Sequence, residues 1–364
     1  MKNRNQNELY KFIPLQFETK YMPTKKTIEE FLKLNETFPL IDVRSPAEYE
    51  QAHIPGAVNI PLFDNEERKQ VGTTYKQKGK ESAVLLGLDY IGPRMAEVVK
   101  QARKLAVNRT VLVHCWRGGM RSASMAWLFE TIGLKTFTLE GGYKAYRHFI
   151  RNEFSNEAKL FILGGSTGSG KTAILKELQN LGEQFLDIEG IAHHKGSVFG
   201  PLGQKPQPSN EQFENNMAAV WQKFDFTKPI WVEDESRQLG KCGIPNPLFE
   251  QMRAATVIKI NVPKKERIKR LVNEYGNFDT ELLAQQVEKI RERLGGQNTK
   301  DALKALANND LETVADITLI YYDKAYNHGI SKRRPEKIFE INLEKDDPET
   351  NALAVLEFIK KVKQ

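Results

Sequence analysis

The segment Gly165-Ser-Thr-Gly-Ser-Gly-Lys-Thr172 does most to narrow what this chain can fold into. It satisfies G-x-x-x-x-G-K-[ST], and it lies between an apolar run, Lys159-Leu-Phe-Ile-Leu163, and an amphipathic stretch, Ala173–Leu181. That order demands a strand, a glycine-rich turn and a helix, the unit from which α/β layers are built. The glycines let backbone amides close around phosphate oxygens, Lys171 adds a point charge and Thr172 offers a hydroxyl to Mg²⁺. All eight residues, Gly165, Ser166, Thr167, Gly168, Ser169, Gly170, Lys171 and Thr172, are therefore candidates for phosphate binding. Downstream, Trp231-Val-Glu-Asp-Glu235 reads either as a Walker-B-like acid after a strand or as a solvated strand end.

A second glycine-rich turn precedes the first. Thr110-Val-Leu-Val-His114 has strand composition, Ser122–Ile132 has helical composition, and Cys115-Trp116-Arg117-Gly118-Gly119-Met120-Arg121 joins them. A thiol at a helix N-terminus, with Arg117 and Arg121 nearby, has its thiolate favoured. The same amides form a nest for a tetrahedral oxyanion, with Arg121 as a bidentate clamp. Cys115 and Arg121 are thus the catalytic candidates, and Trp116, Arg117, Gly118, Gly119 and Met120 are the oxyanion loop. A lone cysteine is more often a core residue, but two glycines and two arginines beside it weigh against that. Cys242, in Gly240-Lys-Cys-Gly-Ile-Pro245, has no such setting and reads as inert.

With 364 residues, the chain is expected to form two domains, 1–150 and 151–364, separated by the polar Arg151–Glu157. Further strands are expected at Pro39–Val43, before Ile60, at Lys135–Leu139, Pro229–Val232, Thr256–Val262 and Ile338–Ile341. Helices are expected at Lys264–Glu274 and Thr280–Leu294, and from Pro348 onward. Two cysteines 127 positions apart make neither a disulfide framework nor a zinc knuckle. Met1–Pro14 has no apolar core and no eighteen-residue apolar run occurs, so the expectation is a cytoplasmic protein without signal peptide or membrane span. Residues 1–150 carry 23 basic and 16 acidic side chains against 31 of each in 151–364, so the formal excess of +7 falls in the first part. Such a field gathers small oxyanions or a nucleic-acid backbone, unless it is only a solvated face.

Two further clusters remain. His193-His194 are adjacent and cannot face one ion, so loop or substrate-contact roles are expected and no metal ligand is assigned beyond Thr172. Lys264, Lys265, Arg267, Lys269 and Arg270 fall on about two helical turns and read as either a solvated face or an RNA-backbone contact.

Leu40-Ile-Asp-Val-Arg-Ser-Pro-Ala-Glu-Tyr49, His53-Ile-Pro-Gly-Ala-Val-Asn-Ile-Pro61, the Cys115 loop and Leu139-Glu-Gly-Gly142 resemble the successive signatures of a rhodanese-type sulfurtransferase domain. One departure stands out. Single-domain rhodaneses commonly place the loop arginine five positions after the cysteine, and here Arg121 is six after Cys115. His-Cys-x5-Arg is the spacing of Cys-dependent phosphatases, so the loop is sized for a phosphate-bearing donor. Together, Val113–Ser122, Gly165–Thr172 and Leu186–Gly200 resemble the bacterial tRNA 2-selenouridine synthase family over most of the chain.

The resemblance implies an α/β protein: an N-terminal rhodanese-like domain with a central, mostly parallel sheet, then a P-loop NTPase-like α/β domain with C-terminal helices. It also implies conversion of wobble 2-thiouridine in tRNA to 2-selenouridine. The co-substrates would be selenophosphate and geranyl diphosphate, with S-geranyl-2-thiouridine as intermediate. Two phosphate-bearing reagents match two phosphate cradles, with a selenium-bearing Cys115 as one form of the first. Which cradle takes which reagent, whether ATP is bound, which tRNAs are modified and whether the protein acts as a monomer stay open. The alternative is a Cys-dependent phosphatase or sulfurtransferase fused to a P-loop kinase-like domain, although no general-acid Asp is identifiable for it.

Overall fold

The computed structural model describes residues 23–362, so the Met1–Pro14 segment lies outside the described residues. The chain divides into two compact units at Arg147/His148, inside the helix Gly142–Glu153 and ahead of the polar Arg151–Glu157.

The first unit holds a five-stranded sheet of β1 (Thr24–Lys26), β2 (Leu40–Asp42), β3 (Val58–Asn59), β4 (Thr110–His114) and β5 (Lys135–Leu139). Their order is β1-β5-β4-β2-β3 and every pairing is parallel. β2 and β4 are buried at every residue, because inner strands of a parallel sheet are covered by helices on both faces. Ile41, Val111 and Val113 pack there with Met125, Ala126 and Phe129 of the helix Met120–Glu130. β1, Thr-Lys-Lys, has no apolar residue to announce it; backbone pairing to Phe137–Leu139 at the sheet edge makes it a strand. Asn65–Ile91 is a 27-residue helix, capped by Asp64 and kinked at Gly79, whose φ of 87° breaks its register.

The second unit holds β6 (Leu160–Gly165), β7 (Gln184–Leu186), β8 (Ile230–Glu233), β11 (Thr256–Asn261) and β12 (Ile338–Asn342). This sheet is also parallel throughout, in the order β12-β11-β6-β8-β7. A short antiparallel hairpin, β9 (Gln238–Leu239) with β10 (Cys242–Gly243), stands apart from it. Helices Lys171–Asn180 and Pro348–Val362 cover the sheet, burying Ile174, Leu175, Leu178 and Val355 against Leu163, Trp231 and Ile258. Helices between Thr280 and Ile330 build a separate apolar cluster around Leu283, Val287, Leu294 and Leu306. The single helix expected over Thr280–Leu294 is two, Thr280–Lys289 and Arg291–Leu294, because buried Ile290 takes a φ of −100° and ψ of 4°. Among the described residues no helix is long and apolar enough to cross a membrane.

Parallel strands bring their carboxyl ends to one edge, where open α/β sheets bind ligands. In the first unit the ends of β2, β4 and β5 lead to Arg44, Cys115 and Gly141-Gly142. In the second, β6, β7 and β8 lead to the phosphate loop, Asp187 and Glu233.

Candidate active sites: a thiol loop and a phosphate loop

Cys115 follows the last residue of β4, and the helix Met120–Glu130 begins five residues later. Its backbone is pinned from behind: Tyr143 N donates to the Cys115 carbonyl (2.9 Å) and Lys144 N to that of Trp116 (3.0 Å). Gly118 and Gly142 are required here. Both have positive φ, 63° and 60°, and a Cβ on Gly118 would sit 2.5 Å from the Leu139 carbonyl, while one on Gly142 would strike the Cys115 carbonyl. Gly119 has open space where its Cβ would be, so it is not needed sterically.

The thiol is buried, 3% exposed, and its Sγ lies 3.2 Å from the Ser122 hydroxyl, whose oxygen is also 3.1 Å from the Gly119 carbonyl; its one proton is within reach of either, and turns to the sulfur when the thiolate forms. Burial pushes the Cys115 pKa up. The Ser122 hydroxyl, the Arg121 charge and the amides of Arg117 and Ser122 outweigh it, and the net shift is downward. Arg121 is not a free clamp. Its guanidinium grips Glu48 at 2.7 and 3.4 Å, and Arg68 approaches the same carboxylate at 3.6 Å. Burial raises the Glu48 carboxyl, but Arg121 dominates and holds it below its ordinary range. An anion entering the loop therefore shares Arg121 with Glu48. Trp116, Arg117 and Met120 stand exposed around the thiol.

Beneath the loop lies a buried polar floor. Arg44 pairs with Asp42 at 2.6 Å, donates to the Ala52 carbonyl at 2.7 Å and sets its guanidinium carbon 4.0 Å from the Tyr143 ring centre. His114 is fully buried 3.6 Å from Asp42, and burial holds its pKa below the usual histidine value. These groups support the loop without reaching its mouth.

In the second unit, Lys171 and Thr172 open the helix that follows the glycine loop, and Lys171 Nζ donates to the Gly165 carbonyl at 3.1 Å. Gly165, Gly168 and Gly170 all have positive φ. Thr172 donates to Glu233 at 2.9 Å and approaches Glu189 at 3.3 Å. Carboxylate oxygens of Glu189, Glu233 and Glu235 lie within 4.8 Å of one another. Glu233 is 3% exposed and its Oε2 has no hydrogen-bond partner. Burial first, then mutual repulsion among the three, raises each carboxyl to about 8. A hard divalent cation resolves both features, because it takes oxygen ligands and removes the repulsion; the donor set fits Mg²⁺. Of the acidic trio after β8, Glu233 and Glu235 face this cluster, and Asp234 is bound by Arg333. Glu189, in the first turn of the short helix Ile188–Ala192 that follows β7, has no sequence signal that singles it out.

The phosphate loop opens into a cavity of about 1490 Å³ whose walls include Lys176, Arg237, Arg253, Arg293 and Tyr326. Beside it lies an apolar compartment of about 50 Å³, lined by Phe199, Leu283, Leu311, Val314 and Ala315; Thr167, Tyr275 and Tyr322 border both. His194 is 7% exposed, lines the cavity and has an unpartnered Nδ1. His193 instead contacts the Pro206 carbonyl at 2.9 Å. Cys242 is fully buried, with its thiol pushed up to about 11 by that burial.

The basic helix is not one open face. Arg267 is buried, forms two 2.7 Å hydrogen bonds with Asp323 and donates to the Thr167 carbonyl at 3.1 Å, so it buttresses the phosphate loop and cannot reach an RNA backbone. Arg270 pairs with Asp346 (2.6 Å), beside Gly170. Lys264 pairs with Asp316 and Lys269 with Glu266, while Lys265 is exposed.

A buried thiol at a strand-to-helix turn on one parallel sheet, and a glycine-rich P-loop-like turn on another, give the architecture of a two-domain α/β protein with two candidate anion sites. Residues 27–148 match the rhodanese-like domain model and residues 158–346 match the tRNA 2-selenouridine synthase AAA domain model. Proteins named tRNA 2-selenouridine synthase from Shewanella sediminis and Sulfurovum sp. are 32% and 35% identical to this chain; 83% and 85% of the chain align to 90% and 93% of theirs. A third, from Nitrosomonas europaea, is 32% identical, with 83% of this chain and 91% of that protein covered. The chain belongs to the tRNA 2-selenouridine synthase family, and it is an enzyme of tRNA modification.

Proposed function

We propose that the protein converts wobble 2-thiouridine in tRNA to 2-selenouridine, with selenophosphate as selenium donor and S-geranyl-2-thiouridine as intermediate. The observation that carries this reading is the presence of two separate phosphate cradles of different chemistry, one with a nucleophile and one without. Sulfide is a poor leaving group from a pyrimidine carbon. Alkylating the thiocarbonyl sulfur by geranyl diphosphate, with loss of diphosphate, converts it to a thiol that departs when selenide attacks.

The Cys115 loop, Cys115 to Arg121, takes selenophosphate, and Gly165–Thr172 takes geranyl diphosphate. An apolar compartment bordering the phosphate loop at Thr167 supports a hydrocarbon arm rather than a nucleotide. At about 50 Å³ it holds only part of a ten-carbon chain, so Tyr275 or Tyr322 must swing to admit the rest. Thr172, Glu233, Glu189 and Glu235 would hold Mg²⁺, which would supply positive charge to the departing diphosphate. Lys171 adds its own charge to the same oxygens. The basic excess in 101–150, eight basic against two acidic residues, supports an RNA path beside Cys115, with Lys265 and Lys269 as a second contact.

The test is reconstitution with an anticodon stem-loop bearing 2-thiouridine, followed by nucleoside mass spectrometry. Geranyl diphosphate alone should give S-geranyl-2-thiouridine, and adding selenophosphate should give 2-selenouridine. Unchanged 2-thiouridine with both reagents present refutes the proposal.

A further inference from the structure

We propose that Cys115 attacks the phosphorus of selenophosphate rather than its selenium, so that the enzyme passes through a cysteinyl phosphate and releases selenide. This rests on the reading that selenophosphate is the donor at this loop.

Electron counting separates the two routes. Selenium in selenophosphate is already at the selenide level, so moving it onto a cysteine sulfur as a selenenylsulfide removes two electrons and requires an oxidant. Discharging it as selenide would then require a reductant, commonly a second thiol. The chain has two cysteines, and Cys242 is fully buried in the second unit with its thiol pushed away from ionisation. Attack on phosphorus needs neither. The S–P bond forms, the Se–P bond breaks and its electron pair leaves on selenium. Water then attacks phosphorus, the S–P pair returns to Sγ, and inorganic phosphate departs. The released selenide attacks C2 of the S-geranyl base and expels geranylthiolate.

The loop is built for that centre. Arg121 is six positions after Cys115, a loop long enough to close around a tetrahedral group, and the amides of Arg117 and Ser122 are directed at the sulfur. Ser122 Oγ, 3.2 Å from Sγ, is placed to donate to the thiolate as it leaves phosphorus in the second step. Cys-dependent phosphatases must protonate an alkoxide leaving group, and the described residues named around this thiol offer no general acid: Glu48 is held by Arg121, and Trp116, Arg117 and Met120 carry no proton to give. Selenium leaves as HSe⁻, taking the proton that selenophosphate itself carries near neutral pH, and HSe⁻ is a far weaker base than an alkoxide, so this donor needs no general acid from the protein.

The test uses the full-length enzyme and selenophosphate labelled on phosphorus in one sample and on selenium in another, denatured rapidly after mixing. Because phosphoryl and selenium additions have nearly equal mass, the labels are counted directly. Wild type should retain the phosphorus label on Cys115, release the selenium label as alkylatable selenide, and lose the phosphorus label with time. Ser122→Ala should hold it longer, by roughly tenfold or more for a lost hydrogen bond to a charged sulfur, and Cys115→Ser should retain neither label as a thiol ester. Selenium on Cys115 with phosphate in solution overturns the inference, as does selenouridine formation in a single turnover with neither label on the protein. The RNA arm is read separately. Phosphorus on Cys115 without selenouridine refutes the RNA reading and leaves the phosphoenzyme standing.

Discussion

Replacing Ser122 by alanine isolates one term in the activation of Cys115. The Ser122 side chain is 1% exposed, its hydroxyl lies 3.2 Å from Sγ, and the change removes one oxygen without altering the charges around the loop. A hydrogen bond to a charged group contributes about 1.5–3 kcal/mol. At about 1.36 kcal/mol per pKa unit, its loss raises the thiol by about one to two units. The sign follows from the partners: the hydroxyl stabilises the thiolate, so without it burial is opposed only by Arg121 and the two amides. The assay is the pH dependence of Cys115 alkylation by iodoacetamide, with the modified peptide quantified. Cys242 does not interfere, being buried and raised to about 11. The profile should move to higher pH by that amount, and alkylation at neutral pH should slow. An unmoved profile, or one moved to lower pH, refutes the claim that Ser122 holds the thiolate.

Three other outcomes follow from the geometry. The raised carboxyls of Glu189, Glu233 and Glu235 bind protons more tightly folded than unfolded, so the metal-free protein should lose stability as pH rises from about 4.5 through about 8. Mg²⁺ should raise the Tm increasingly across that window, with proton release on binding; a Tm gain independent of pH would place the ion elsewhere. Arg267→Ala should destabilise the second unit by roughly 3 kcal/mol or more in chemical denaturation, since it strands Asp323 and the Thr167 carbonyl. Reversing Lys265 and Lys269 to Glu should instead leave stability nearly unchanged, weaken tRNA binding and flatten its salt dependence, by roughly 0.7–0.9 in the log–log slope per lost phosphate contact.

Local signals made much of this molecule legible. The apolar runs of β4 and β6 are pure enough that burial on both faces follows from composition, and each glycine loop sits where a strand must turn into a helix. What stayed hidden depends on pairing between distant segments. Glu48 reads as a first-turn acid of a short helix, and only sheet order brings it to Arg121, 73 residues away. The basic cluster on Lys264–Tyr275 reads as either a solvated face or an RNA contact, open to solvent in both cases, because helical spacing cannot show Asp323 and Asp346, 56 and 76 residues away. Glu189 lies in the first turn of a five-residue helix, Ile188–Ala192, too short to leave a periodic signal, so its place in the carboxylate cluster comes from topology alone. Asn65–Ile91 is polar through its first half, and the Asp64 cap, not an apolar stripe, marks its start.

The division of labour between the two cradles is tested most directly by two variants in one reconstituted reaction with 2-thiouridine RNA, geranyl diphosphate and selenophosphate. Cys115→Ser keeps the side-chain size and the second unit intact, so it should accumulate S-geranyl-2-thiouridine and form no 2-selenouridine. Lys171→Ala removes the charge proposed to hold the diphosphate, so it should leave most of the substrate as 2-thiouridine, and it should make 2-selenouridine when supplied with RNA already geranylated. The opposite pattern, with Cys115→Ser stalled at 2-thiouridine or Lys171→Ala geranylating at the wild-type rate, would contradict the assignment of one reagent to each loop.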